Sequence, residues 1–228
     1  MSTCSPDRAE QALGQIAVEL PGATAVFRRL KLDFCCGGQV PLADACVAKG
    51  LSLDAVSAEL AALDRPVNQT TPADPPALIG HILERYHAVH REQLPELIRM
   101  ARRVEAVHRD HPEVPAGLAD HLEEMQDELL DHMAKEEKVL FPMLQAGGSS
   151  MARYPIMAMR HEHTSHGEQL ERLMALCHDA VPPAGACNTW RALFSGIAQL
   201  QNDLINHIHL ENNLLFPLFE RDGNTCCG

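Results

Sequence analysis

The feature that most constrains the fold of this chain is a duplicated eleven-residue motif. The motif reads His-x3-Glu-x3-Leu-Phe-Pro and occurs at 132–142 and again at 207–217. On an α-helix, positions i and i+4 lie one turn apart on the same face, so each copy points one imidazole and one carboxylate in the same direction. Leucines at steps of three and four around both copies indicate that this face is buried. A buried carboxylate is costly unless it is paired or bound to a metal, so the motif predicts two metal-binding helices.

Two further helical patterns carry a histidine on an apolar stripe, His87 on one and His163 on the other. From His87 to His132 is 45 residues and from His163 to His207 is 44, so the chain contains two hairpin repeats. Short breaks between long helices favour antiparallel neighbours. The predicted fold is therefore an all-α, antiparallel four-helix bundle. Its helices are expected over about 75–109, 115–145, 150–178 and 188–221.

The residues before the bundle are predicted to form a small helical domain at 1–65, built from four short helical patterns. A stretch rich in proline and without periodicity, at 66–76, is expected to be a linker. The bundle is then expected to occupy 77–221, and 222–228 to be a mobile tail that contains Cys226 and Cys227.

Composition excludes several classes of protein. An aromatic content of 4% and few β-branched runs favour helices over sheet, and a formal charge of −12 argues against binding to nucleic acid. No apolar run is long enough to span a membrane, and the first ten residues lack the apolar segment of a signal peptide. These features, with cysteines expected to be reduced thiols, predict a cytoplasmic location. They do not indicate the oligomeric state.

Six side chains on the four apolar stripes form the predicted metal site. Zinc prefers four ligands in a tetrahedron, often with cysteine, and no cysteine shares these stripes. Six nitrogen and oxygen ligands suit two metal ions instead. Two bridging carboxylates with two imidazoles on each metal are typical of iron or manganese. The predicted ligands are His87, His132, Glu136, His163, His207 and Glu211.

The chain resembles the ScdA/Ric (repair of iron centres) family of haemerythrin-like di-iron proteins, which includes the nitric-oxide-responsive NorA-type proteins. The resemblance rests on Asp-Phe-Cys-Cys-Gly-Gly at 33–38, Arg-Tyr-His at 85–87, Lys-Glu-Glu at 135–137 and the two Leu-Phe-Pro segments. It implies two iron ions per chain, oxo- or hydroxo-bridged and held by the six residues named above. It also implies a cytoplasmic protein of the nitrosative and oxidative stress response.

Cys35 and Cys36 are the candidate reactive residues of the small domain. If its third helix begins near Pro41, the thiols precede a helix N-terminus, which lowers a thiol pKa. The resemblance links this domain to thiol chemistry and to the handling of iron or nitric oxide, which implies that both cysteines are transfer thiols. The alternative is that they pack a small core. Four other cysteines show no partner spacing and are predicted to be structural: Cys4, Cys46, Cys177 and Cys187.

Four polar residues near the ligands are candidates for supporting roles. His90 and His166 lie one turn beyond predicted ligands and are either their partners or ordinary core residues. Glu162 adjoins a predicted ligand, and Glu128 precedes another by four residues, so either carboxylate is placed to orient a ligand or to relay protons.

Three functions fit these residues. The first is the repair of damaged iron–sulfur clusters by iron donation, with damaged iron–sulfur proteins as acceptors. The second is the binding of nitric oxide or another small diatomic ligand, with a nitric oxide reductase-like activity at the di-iron centre. The third is an oxygen or redox sensor, for which a partner domain is expected. The sequence leaves the choice between iron donation and nitric oxide chemistry open.

Overall fold

Helices make up most of this chain in its computed structural model, which describes residues 8–20, 22–63, 74–148 and 150–220. These ranges contain no β-strand, only one isolated bridge between Ala12 and Pro41. The all-α fold expected from the low aromatic content and the helical periodicity is therefore confirmed. Contacts between residues group the described chain into two compact units, one around residues 8–63 and one around residues 74–207.

The first unit consists of residues 8–63 together with Ile208–Leu218. Its fourth helix begins after Ser52, whose hydroxyl accepts a hydrogen bond from the Ala55 amide at 3.4 Å, as expected of a capping serine. Phe27 and Phe34 lie in its core with their ring centres 5.8 Å apart. The helices of this unit are α1 (Leu13–Glu19), α2 (Ala23–Arg29), α3 (Leu42–Lys49) and α4 (Leu53–Ala62).

The second unit, residues 74–207 with 219–220, is an antiparallel bundle of four long helical segments. Asp74 caps the first segment by accepting the Ala77 amide at 3.1 Å, so the end of the predicted linker begins this helix. The first segment comprises α5 (Pro75–Ile82), the π-helical turn π1 (Leu83–His87) and α6 (Ala88–Val107). The second comprises α7 (Leu118–Lys135), π2 (Glu136–Leu140) and α8 (Phe141–Gln145). The third is α9 (Arg153–Leu176) and the fourth is α10 (Asn188–His209). The chain then continues into π3 (Leu210–Leu215), which belongs to the first unit, and into α11 (Pro217–Glu220).

The π turns widen these helices at the predicted ligands, which periodicity alone did not predict. In π2 the Phe141 amide bonds the carbonyl of Glu136, five residues back, and in π3 the Phe216 amide bonds the carbonyl of Glu211 at 2.8 Å. The extra residue in the turn allows both Glu136 and Phe141 to be buried, at 0% and 2% exposure. Such π turns are rare and often occur at functional sites.

Three sequence predictions fall outside the described residues. They concern residues 66–73 of the linker, the tail at 222–228 with Cys226 and Cys227, and Cys4. Among the helices that the structure describes, none combines the length and the apolar character needed to cross a lipid bilayer.

Candidate metal centre

Five of the six predicted ligands lie together inside the bundle. Each long segment contributes, because its ligand sits on the apolar stripe that faces the other three segments. All five side chains are at most 1% exposed. They are His87 from π1, His132 from α7, Glu136 from π2, His163 from α9 and His207 from α10.

The four histidines form two pairs with a carboxylate between them. Nε2 of His87 lies 3.1 Å from Nε2 of His207, and Nε2 of His132 lies 3.2 Å from Nε2 of His163. One carboxylate oxygen of Glu136 is 3.4 Å from the His87 nitrogen, and the other is 3.4 Å from the His132 nitrogen. Glu136 therefore faces one histidine pair with each oxygen, which is the position of a bridging ligand.

The outer nitrogens of two histidines are bonded to carboxylates. Nδ1 of His87 lies 2.8 Å from Glu137, and Nδ1 of His132 lies 2.9 Å from Glu162. An ionised carboxylate can only accept a hydrogen bond there, so each ring carries its proton on Nδ1 and turns the Nε2 lone pair toward the interior. This carboxylate–histidine arrangement is the usual support of a metal-bound imidazole. The donor atoms and their orientation thus fit a metal centre.

Both supporting carboxylates are held in their charged form. The hydrogen bond from His132, with a second from Lys135 at 2.7 Å, lowers the pKa of Glu162 to about 2. Burial alone would raise the pKa of Glu137, but hydrogen bonds from His87 and Arg91 leave it below its usual value. Each carboxylate is therefore an anion at neutral pH and keeps the Nδ1 proton in place.

Sequence reasoning singled out Glu162 as a candidate for orienting a ligand, and the structure places it on His132. Sequence reasoning overlooked Glu137, which supports His87 from a position 50 residues later in the chain. The sequence feature that could have indicated this role is that Glu137 directly follows the predicted ligand Glu136. Glu128, the other candidate, accepts a hydrogen bond from the Gln169 side chain at 2.6 Å.

His90 and His166 pack against ligand rings as neutral core residues. The His90 ring lies 5.5 Å from that of His207, neither of its nitrogens has a hydrogen-bond partner, and burial lowers its pKa to about 3. The His166 ring lies edge-on to His132 at 5.0 Å, and burial lowers its pKa to about 4. These two residues match the core-packing alternative.

Removing either supporting carboxylate is expected to weaken metal binding. In Glu137→Gln and Glu162→Gln, the amide no longer holds the Nδ1 proton as an anion does, so the dissociation constant should rise roughly 10- to 100-fold. Iron retained during dialysis against chelators of increasing affinity measures this change. Glu168→Gln, at an exposed position of α9, is the matched control. Iron retention equal to that of the control would show that the two carboxylates do not support the centre.

Glu211 lies on π3, in the segment that belongs to the first unit. It is fully buried and follows His207 by four residues, just after α10 passes into the π turn. Its spacing from the preceding histidine repeats that of Glu136 from His132.

The Cys35–Cys36 loop is organised around the side chain of Asp33. One oxygen of this carboxylate accepts the amides of Cys35 and Cys36 at 3.1 and 2.9 Å, and the other accepts the amide of Gly37 at 2.8 Å. The two sulfur atoms lie 3.6 Å apart and are partly exposed. The loop therefore presents both thiols at its surface in one fixed arrangement.

The pKa of Cys35 is raised, which corrects the expectation that a helix N-terminus lowers it. The hydrogen bond to Cys36 contributes most, followed by burial, by the charge of Cys36 and only then by Asp33. Helix α3 begins only at Leu42, and the field of a helix end falls off within one turn. The neighbouring thiol and burial therefore outweigh the helix.

Three other described cysteines differ in their surroundings. Cys46 and Cys177 are buried, and burial raises the pKa of both, that of Cys177 to about 11. Cys187 is partly exposed, with its sulfur 3.2 Å from Nε2 of His108. The buried positions of Cys46 and Cys177 fit packing roles.

Comparison with known proteins matches both parts of the chain. Residues 78–219 match the Hemerythrin HHE cation binding domain, and residues 9–64 match ScdA_N, described as a domain of unknown function. The "Iron-sulfur cluster repair protein YtfE" of Cronobacter sakazakii is 50% identical over 210 residues, which is 91% of this chain and 95% of that protein. The proteins of the same name from Dickeya chrysanthemi and Musicola paradisiaca are 48% and 50% identical, each over 91% of this chain and over 96% and 95% of their own lengths.

Proposed function

We propose, because this chain belongs to the hemerythrin HHE family of cation-binding proteins and carries an ScdA_N domain, that it repairs damaged iron–sulfur clusters by donating iron. The relatives that share half of its residues are named for cluster repair. The observation that carries the proposal is Glu136, whose two oxygens each face a pair of buried histidines. This arrangement suits a pair of metal ions and uses ligand atoms that iron prefers.

The proposed centre holds two iron ions with an oxo or hydroxo bridge. His87 and His207 serve one ion, and His132 and His163 serve the other, which follows the pairing of their Nε2 atoms. Glu136 bridges the two ions. Glu211 is proposed as the second bridging carboxylate, because it is buried and repeats the spacing of the first. Iron bound there is the iron that the protein donates to an acceptor protein.

Residues around the proposed centre control how tightly iron is bound and how it is released. Glu137 and Glu162 fix the tautomer of two ligands, and the apolar faces of the bundle keep water from competing for the metals. Cys35 and Cys36 are proposed as the transfer thiols, since they are the partly exposed thiol pair of the described chain and thiolates bind iron well.

The acceptors in this proposal are iron–sulfur proteins whose clusters have been damaged. Nitric oxide binding, nitric oxide reduction and sensing are not carried further, because the names of the relatives refer to cluster repair. The cytoplasmic location stays a prediction from the sequence.

A labelled-iron transfer experiment tests the function. The protein is loaded with ⁵⁷Fe, mixed without oxygen with a hydratase whose [4Fe–4S] cluster has been broken by nitric oxide, and supplied with sulfide and a thiol reductant. We expect the label to appear in the rebuilt cluster and enzyme activity to return. The iron-free protein, and free ferrous iron held by a chelator of matched affinity, are the controls. Label that stays on the protein while the enzyme remains inactive would refute iron donation.

A further inference from the structure

A second group of potential metal ligands lies outside the bundle, in the loop of the first unit. The ligand atoms of Asp33, Cys35 and Cys36 all lie within 4.8 Å of one another. The two sulfurs are 3.6 Å apart, and the Cys35 sulfur is 3.3 Å from a carboxylate oxygen of Asp33. Two sulfurs and one carboxylate oxygen at these distances can contact a single cation.

Hydrogen bonds within the protein hold the loop in this shape. The Asp33 carboxylate is oriented by three backbone amides, as described above. The buried side chain of Asn212 donates to the Cys35 carbonyl at 3.0 Å, and Asn213 donates to the Phe34 carbonyl at 3.0 Å. A preformed set of ligands loses little conformational entropy when it binds.

The close approach of Gly38 keeps the loop tight. A Cβ atom at Gly38 would lie 2.5 Å from the Phe34 carbonyl oxygen and 3.0 Å from the Asn213 side chain. Only glycine fits there, so the loop and the side chain that holds it are packed as one body. The thiols are thus positioned by contacts on both sides of the loop.

Access and chemistry separate this group from the bundle centre. Asp33 is exposed and both thiols are partly exposed, whereas every predicted ligand in the bundle is buried. Thiolates bind soft and borderline divalent ions such as zinc, cadmium and ferrous iron. Three protein ligands leave at least one coordination position open to solvent, as in metal sites that exchange a ligand.

We propose that Asp33, Cys35 and Cys36 form a second, solvent-accessible site that binds one divalent metal ion. The ion bonds to the two sulfurs and to one oxygen of Asp33, and the two thiol protons pass to solvent, so no electron is transferred. The proposal rests on the proposed function in that ferrous iron in transit is the intended cargo.

Cadmium binding to the full chain tests this site. The reduced protein with its bundle loaded with iron is titrated with Cd²⁺, and the ultraviolet sulfur-to-cadmium charge-transfer band and the protons released are recorded. We expect wild type to bind one more equivalent than Cys35→Ser/Cys36→Ser and to release two more protons. Asp33→Asn should bind this ion about tenfold or more weakly, because it loses an anionic ligand. Cys187→Ser and Asp54→Asn, which change a thiol and a carboxylate outside the segment 33–38, should match wild type.

Two results would overturn the site. One is a double serine variant that takes up as much cadmium as wild type. The other is an X-ray absorption spectrum of the cadmium ion that wild type binds and the double variant does not, if it shows only sulfur ligands. That result would exclude Asp33 as a ligand, even if Asp33→Asn weakened binding by disturbing the loop. A failed iron-transfer assay together with normal cadmium binding would count against the proposed function and leave the site standing.

Discussion

Glu136→Gln is expected to abolish stable iron binding by the bundle. The amide cannot bridge two cations as an anion, and each oxygen of Glu136 faces a separate histidine pair. The loss should exceed the roughly 10- to 100-fold weakening that follows removal of a supporting residue. Iron per chain, measured after gel filtration of protein purified without oxygen, gives the result directly.

The control for this variant is Glu128→Gln, two turns earlier on the same segment at an exposed position. It should keep the iron content of wild type. Without metal, Glu136→Gln is expected to unfold at a higher denaturant concentration than metal-free wild type, because a neutral amide costs less to bury than a carboxylate. Two irons retained by Glu136→Gln would rule out the bridging role.

Cys35→Ser/Cys36→Ser should retain the two irons of the bundle and lose most of its capacity to restore a damaged iron–sulfur enzyme. The thiols lie in the loop around Asp33, and none of the five ligands gathered in the bundle is a cysteine. We expect the initial rate of enzyme reactivation to fall about tenfold or more, in keeping with loss of metal ligands from a transfer step. Reactivation kinetics and iron content are measured on the same preparation.

Cys187→Ser is the matched control, since Cys187 is also a partly exposed thiol. It should restore the enzyme at the wild-type rate. Restoration at that rate by the double variant would assign Cys35 and Cys36 a structural role. A fall below two irons per chain would instead make the thiols ligands of the bundle centre, and the set of six predicted ligands would be incomplete.

The helices and the bundle were predictable because their signal is local and repeated. His132 and Glu136 are four residues apart, and the second copy confirms that the spacing is not accidental. The partners of the ligands were not predictable in the same way. Glu137 reaches His87 across 50 residues, and only the packing of two helical segments brings them together.

The thiol loop shows the opposite case, in which a local signal was available and misjudged. In many turns the side chain of an aspartate accepts hydrogen bonds from the backbone amides two and three residues later. Asp33 stands in that relation to Cys35 and Cys36, so its carboxylate could have been placed beside the thiols from the sequence. The helix was given more influence than the immediate surroundings of Cys35, which are first the Cys36 thiol and burial and then Asp33, and the predicted direction of the Cys35 pKa was therefore wrong.

The two copies of the motif differ directly after their glutamates. The first continues with Glu137 and the second with Asn212. Glu137 supports a ligand in the bundle, whereas Asn212 holds the backbone of Cys35. The difference is visible in the sequence, but the two roles can be assigned only from the positions of the groups that Glu137 and Asn212 contact.

The π turns have a consequence for how these helices come apart. Native proteins open locally in separate segments, at free energies that range from near zero to that of global unfolding. His87, Glu136 and Glu211 each lie in a π turn, where the regular i→i−4 ladder is interrupted. Amide protons in these three turns should therefore exchange with solvent sooner than those of the flanking α-helices. A metal-binding side chain can then move out of the proposed centre when one turn opens briefly, while the remaining helices stay folded.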